Sequence, residues 1–179
     1  MNPAPVTGGL PVRRLQVADA AAYRALRLRA LREHPEAFTS SFEEEQGRPL
    51  AWAEARLRDD PSRPHDLFLG AFEGETLAGV VGLQGRYRPK ERHNATVVGM
   101  YVVPEAAGRG LGRALMNELL ARSRALPELA QLDLTVTEGN HAAQSLYARC
   151  GFSVFGRQPN AIRLDGREFA KLHLLLRLR

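Results

Sequence analysis

A chain of 179 residues, 44 % apolar and 25 % charged, has the size and make-up of a globular domain with its own core, not of a disordered or fibrous chain. The net charge of +5 is concentrated between Arg86 and Arg124, where eight basic residues face three acidic ones, and the rest of the chain balances at 17 against 17. The start, MNPAPVTGGLPVRR, lacks the apolar core of a secretory leader, and no run approaches the roughly 20 apolar residues that span a bilayer. A cytoplasmic location and no membrane partner are therefore expected.

The Pro/Gly-rich residues 1–11 read as a flexible tail, and 12–179 as a single domain. VRRLQV alternates like a strand. Asp19 is in position to cap a helix on which Tyr23, Leu26 and Ala30 recur at helical spacing, and His34-Pro35 ends it. Ser41 and Glu44 have capping-box spacing, which predicts a short helical segment, and PLAWAEARLRD predicts another helix. DLFLGAFEG and TLAGVVGLQGRY form a hairpin candidate around EGET, and ATVVGMYVVP is a third strand.

Next, Leu111, Leu115 and Leu119, one turn apart, mark an amphipathic helix that begins near Gly112. QLDLTVTEG alternates as a strand, NHAAQSLYARCG is helical, and Gly151 suits a left-handed position after it. The C-terminal stretch predicts two strands around LDGRE. The order predicts an α/β fold with a mixed sheet.

Between the third strand and the amphipathic helix lies VVPEAAGRGLGRALM, with glycines at 108, 110 and 112. The first amides of a helix have no intrahelical partner, and its dipole adds about half a positive charge at that end. Glycines keep Cβ atoms out of the way, and Arg109 and Arg113 add charge, so phosphate is the natural occupant. A tight strand-to-helix turn also accounts for the glycines. A P-loop is excluded because Arg113-Ala114 follows the last glycine, and a dinucleotide fingerprint because position 113 is arginine.

VVPEAAGRGLG followed by NHAAQSLYARCGF resembles the paired signature of the GNAT superfamily of acyl-CoA-dependent N-acetyltransferases. The matching residues are Val102, Val103, Pro104, Gly110 and Gly112, then Asn140, Ala143, Leu146, Tyr147, Gly151 and Phe152. Ala107 departs from the Gln or Arg of the family pattern. The resemblance implies a mostly antiparallel sheet of six to seven strands, flanked by about four helices and opened in a V between two strands. It implies acetyl-CoA as co-substrate, with pantetheine along Met100, Tyr101 and Val102 and pyrophosphate on Gly108, Arg109, Gly110, Leu111, Gly112 and Arg113. Asn140 would order the cofactor, Tyr147 would act as general acid toward the thiolate of CoA, and backbone N–H groups near Met100 would hold the oxyanion.

No general base is assigned. The glutamate that some members carry five residues before the asparagine is Thr135 here, Glu138 falls in a turn, and His93 stands before the strand. No metal is expected. Cys150 is the one cysteine and reads as a packed thiol.

The expected reaction is direct acetyl transfer to a primary amine of a small molecule or a peptide. Glu43, Glu44 and Glu45 could attract a cationic acceptor, or could serve only as helix caps and solvated charge. Trp52 reads as packing, and His173 as a structural residue that could reach the cleft. A homodimer is compatible with the sequence. A non-catalytic acyl-CoA-binding module is the main alternative. A nucleic-acid binder ranks behind it, because aromatic residues make up only 7 % and do not interleave with the arginines.

Overall fold

The computed structural model describes residues 12–179; the expected tail at 1–11 lies outside them. One seven-stranded sheet holds β1 (Val12–Arg14), β2 (Leu67–Glu73), β3 (Thr76–Gly85), β4 (Asn94–Val102), β5 (Gln131–Thr137), β6 (Ser153–Leu164) and β7 (Arg167–Arg177). Their spatial order is β1-β2-β3-β4-β5-β7-β6. Five helices accompany them: α1 (Ala20–Glu33), α2 (Phe42–Gln46), α3 (Leu50–Leu57), α4 (Leu111–Ala125) and α5 (His141–Arg149). The strands and helices expected from the sequence are present, with α2 standing as a helix of its own between α1 and α3.

Every strand pair is antiparallel except β4 and β5. That parallel ladder has only three rungs, Asn94–Thr96 against Gln131–Asp133. Its closed end is stitched by Asp133, which accepts hydrogen bonds from Thr96 Oγ1 (2.7 Å) and from Arg86. Beyond it the strands part. A bulge drives the separation: Val80 pairs with Tyr101 and Gly82 with Val98, so Gly99 and Met100 together face Val81. Gly99 takes φ +63, a value that glycine reaches without strain.

The helices cover both faces of the sheet. Leu111, Leu115, Met116 and Leu119 of α4 are almost wholly buried, as are Tyr23, Ala30 and Leu31 of α1. Gly151 takes φ +93 after α5, and Asp165 and Gly166 take positive φ in the β6–β7 turn, as the sequence indicates.

One local reading needs correction. Asp19 makes no side-chain cap to α1; its carboxylate accepts from the Gln16 N–H (2.8 Å) and from both terminal nitrogens of Arg13 (2.7 and 2.8 Å). These contacts, the Arg13 hydrogen bond foremost, hold its pKa below the ordinary value. Two of the three acidic residues at 43–45 are engaged in structure. Glu44 closes the capping box with Ser41, as its spacing predicts. Glu45 is buried and accepts two hydrogen bonds from Arg27 (3.0 and 2.8 Å). Burial raises the Glu45 pKa, but the Arg27 contacts outweigh it and leave the group below its usual range.

The Arg27–Glu45 pair ties α2 to α1. Glu45→Ala should cost about 2 kcal/mol in urea unfolding at pH 7, less than the loss for a fully buried pair because Arg27 retains some solvent contact. A carboxylate with a depressed folded pKa stabilises above its unfolded value, near 4.3, and that contribution disappears in acid. The gap between variant and parent should therefore close as pH falls from about 5 through 4.

Candidate functional site

The parted strands open onto a cleft with two connected chambers of about 890 and 420 Å³. Both are bordered by Phe38, Met100, Thr137, Asn140 and Ala143, so they form the two ends of one passage through the split sheet.

The larger chamber lies over the start of α4. Gly110, with φ +84, precedes Leu111, and no side chain caps the helix. Ala114 N–H bonds to Gly110 O at 2.9 Å, and Arg109 N–H reaches Ala106 O at 3.4 Å. The amides of Gly108, Gly110, Leu111, Gly112 and Arg113 have no acceptor among the described residues. Gly108 has φ +76, and a methyl built on it would meet nothing within 4 Å. At Gly112 a methyl would lie 3.2 Å from Met100 Cε and 3.4 Å from Leu146 Cδ2, so glycine there lets α4 approach β4 and α5.

Of the residues singled out for cofactor binding, Met100, Tyr101, Val102, Gly108, Gly110, Leu111, Gly112, Arg113 and Asn140 all border this chamber. Arg109 does not: its guanidinium turns away to Glu73, 2.7 Å distant. The glycine on either side swings the backbone into a left-handed conformation, and Glu73 at the end of β2 offers a nearby carboxylate. Like Arg113, Arg149, which no motif singles out, borders the chamber. Its position three residues after Leu146, on the same helix face, is the signal that could have found it.

Asn140 caps α5, its Oδ1 accepting from Ala143 N–H at 3.2 Å. The Tyr101 side chain turns to the α1 side, where its hydroxyl donates to Glu33; burial, then that hydrogen bond, raises its pKa. What Tyr101 offers the chamber is backbone.

Tyr147 lies on α5 at the border of the smaller chamber, buried, with its ring edge-on to Phe152 at 6.1 Å. Its hydroxyl has no hydrogen-bond partner among the described residues, and burial, then the neighbouring Cys150, raises its pKa, so the phenol stays protonated above the usual range. The Cys150 thiol is half-buried, and its pKa too is raised by burial, in keeping with a packed thiol.

The smaller chamber is also bordered by Arg27, Arg56, Gln84, Thr96, Thr135 and Lys171, with no carboxylate or imidazole among the described residues that line it. Thr135 therefore faces the chamber without supplying a base. Glu138 borders the larger chamber and is held in a two-pronged pair with Arg157 (2.8 and 2.7 Å), which lowers its pKa. His93 meets Asn94 (3.1 Å) ahead of β4, and His173 stacks edge-on with Phe155; neither borders a chamber. Trp52 packs at the rim of the core beneath Arg48 and Arg56. No group of three metal-ligating side chains occurs among the described residues, and none of their helices is long and apolar enough to cross a membrane.

A sheet split at a glycine bulge, with uncapped helix amides beside it, defines a class of acyl-CoA-dependent transferases, and comparison with known proteins agrees. The acetyltransferase (GNAT) family profile matches residues 19–152, and the chain belongs to that family. The N-alpha-acetyltransferase RimI of Mycobacterium tuberculosis is 34 % identical over 117 residues, 64 % of this chain and 70 % of that protein. The mycothiol acetyltransferase of Salinispora arenicola is 35 % identical over 146 residues, 79 % of this chain but only 44 % of that longer protein. Among solved structures, yncA from Salmonella typhimurium, determined with its cofactor acetyl-CoA, superposes with a TM-score of 0.77 at 24 % identity, covering 96 % of this chain and 95 % of that one. A GNAT-family acetyltransferase from Streptococcus pneumoniae gives 0.77 at 23 % identity, over 94 % and 99 % of the two chains. These two likenesses speak for the fold.

The glycine at 108 is required by conformation, not by crowding. Gly108→Ala should cost about 1 kcal/mol in chemical unfolding, the penalty of an L-residue in the left-handed region. Gly47→Ala, at an equally open position with φ −79, should be neutral or slightly stabilising. Equal losses at the two sites would show that the backbone at 108 imposes no such demand.

Proposed function

We propose that this chain transfers an acetyl group from acetyl-CoA to a primary amine, with both held in the one cleft. The observation that carries the reading is the set of amides at Gly108, Gly110, Leu111, Gly112 and Arg113 without an acceptor among the described residues, opening into a chamber that continues past Asn140 to Tyr147. A diphosphate fits that cradle: the N–H groups converge at a helix start, Gly108 leaves room for it, and Arg113 and Arg149 border it. The parted edge of β4 at Met100–Val102 offers backbone groups to an extended pantetheine arm. When bound, acetyl-CoA supplies an activated acetyl thioester.

The chain's own residues position, desolvate and protonate. The bulge at Gly99–Met100 releases peptide N–H groups from the ladder, which makes them donors for charge that develops on a carbonyl oxygen. Tyr147 keeps its proton because its ring is buried, and its hydroxyl has no protein partner competing for it, so it can donate to a leaving thiolate. Asn140 fixes the start of α5 and so the direction from which Tyr147 approaches. Protein that binds acetyl-CoA and never releases CoA thiol to any amine would instead be the non-catalytic binding module; the absence of a carboxylate or imidazole from the smaller chamber is the feature that favours that second reading.

Tyr147→Phe should lower kcat by about 100-fold, the lower range for loss of a general acid, with the affinity for CoA unchanged within about twofold. Because burial raises the phenol's pKa, the protonated form persists into alkali, and kcat of the parent should show no descending arm below about pH 10. Unaltered turnover in the phenylalanine variant would remove the acid from Tyr147.

A further inference from the structure

The acceptor end of the cleft is positively charged and contains no acid. Lys171 comes from β7, opposite Thr137 of β5 in register. It is half-buried, and its ammonium donates to Thr39 Oγ1 at 2.9 Å. No carboxylate lies within 4.0 Å of it among the described residues. Arg56, from α3, donates through Nε to Tyr23 Oη at 3.0 Å and lies over the Trp52 and Phe68 rings, each 4.9 Å from its guanidinium carbon. It too has no carboxylate at ion-pair distance among the described residues. Arg27 also borders the chamber, but Glu45 occupies it on both sides of its fork.

Two cations thus border a partly enclosed chamber with no carboxylate at ion-pair distance among the described residues; Glu45, already paired with Arg27, acts on Arg56 only from farther off, and Thr39, Ser40 and Thr96 border the same chamber. Taking cations from water is unfavourable unless an anion meets them, and a bound ammonium group would worsen the imbalance. We propose that this chamber binds a negatively charged group on the acceptor, which makes the substrate class amines that carry a carboxylate, of the amino-acid kind, and not polycationic amines. The inference rests on the acetyl-transfer reading above for what the bound molecule does, but not for the sign of its charge. It also fits the missing base: a cationic field disfavours an ammonium, so the acceptor nitrogen reaches the chamber more readily as the neutral nucleophile. The Glu43–Glu45 triplet, the sequence feature that suggested a cationic acceptor, borders neither chamber.

Products test the charge without depending on turnover. The CoA-loaded protein is titrated calorimetrically with N-acetyl-L-methionine, N-acetyl-L-phenylalanine and N-acetyl-L-glutamate, each beside its α-carboxamide, and with N-acetylspermidine. At least one acid should bind about tenfold or more tightly than its carboxamide, the size of one charge-assisted hydrogen bond, with N-acetylspermidine weakest. Lys171→Met and Arg56→Met should each reduce that preference while the affinity for CoA stays within about twofold.

Equal binding of acids and carboxamides, tightest binding of N-acetylspermidine, or no measurable product binding overturns the proposal. So does a Lys171→Met variant that loses CoA affinity and keeps the preference, since the lysine would then serve the cofactor. A CoA-release assay separates the two readings. Anion preference without any transfer leaves the charge inference standing and removes the enzyme. Transfer that favours amines lacking a carboxylate does the reverse.

Discussion

The early end of the β4–β5 ladder is the constraint from which the rest of the architecture follows. Three parallel rungs close one end of the split, and Asp133 locks them through Thr96 and Arg86. Past that point β4 satisfies its other edge against β3, but only by carrying one residue too many opposite Val81. A bulge bends and twists the strand that bears it, and the bend leads β4 away from β5. Unpaired peptide groups in a protein interior are expensive, so such a gap is stable only where water or a ligand can meet them. The cleft is thus a direct consequence of where the backbone stops pairing, and the side chains around it specialise an opening that the strand geometry has already made.

Charge is divided along that opening. In a chain with 23 arginines and two lysines, ten guanidiniums have a carboxylate at ion-pair distance among the described residues, among them Arg13 with Asp19, Arg29 with Glu33 and Glu105, Arg109 with Glu73, and Arg157 with Glu138. Exposed pairs of this kind add little stability, because water screens them. Their consequence here is subtractive. They tie up part of the charge, while Arg113 and Arg149 at one chamber and Lys171 and Arg56 at the other, like several arginines elsewhere on the surface, have no carboxylate at ion-pair distance among the described residues.

The sequence carried the elements, the sheet class and the glycine-rich helix start, because each depends on local signals. Leu111, Leu115 and Leu119 mark α4 by period alone, and the glycines at 108 and 110 announce left-handed backbone that the structure contains. The misjudged positions were those where a long side chain chose between partners. Asp19 has the right spacing to cap α1, yet its carboxylate is already taken by Arg13 and by the Gln16 amide. Arg109 sits in the cradle by sequence and leaves it in space. Lys171 and Arg56 are 115 residues apart in sequence and meet only because β7 inserts beside β5 while α3 covers β2. No periodicity or motif encodes such a meeting.

The separation of the two cationic ends also bears on how protons are handled. A transferase for amines needs a nitrogen without its extra proton and a donor that keeps its own until needed. A carboxylate or imidazole base would satisfy the first need, but it would also neutralise the cations that border the smaller chamber. In the proposed reaction the two needs are met by different physical effects. Burial in an apolar setting, against Phe152 and beside Cys150, would hold the proton on Tyr147, while the acceptor would meet ammonium and guanidinium groups instead. Desolvation penalises the phenolate, and like charge penalises the protonated amine, so each reacting group is biased toward the neutral form without an acid–base pair between them. Such a site would depend on the cations remaining without a carboxylate at ion-pair distance, and on that reading the buried pair of Glu45 with Arg27 would have a functional consequence as well as a structural one.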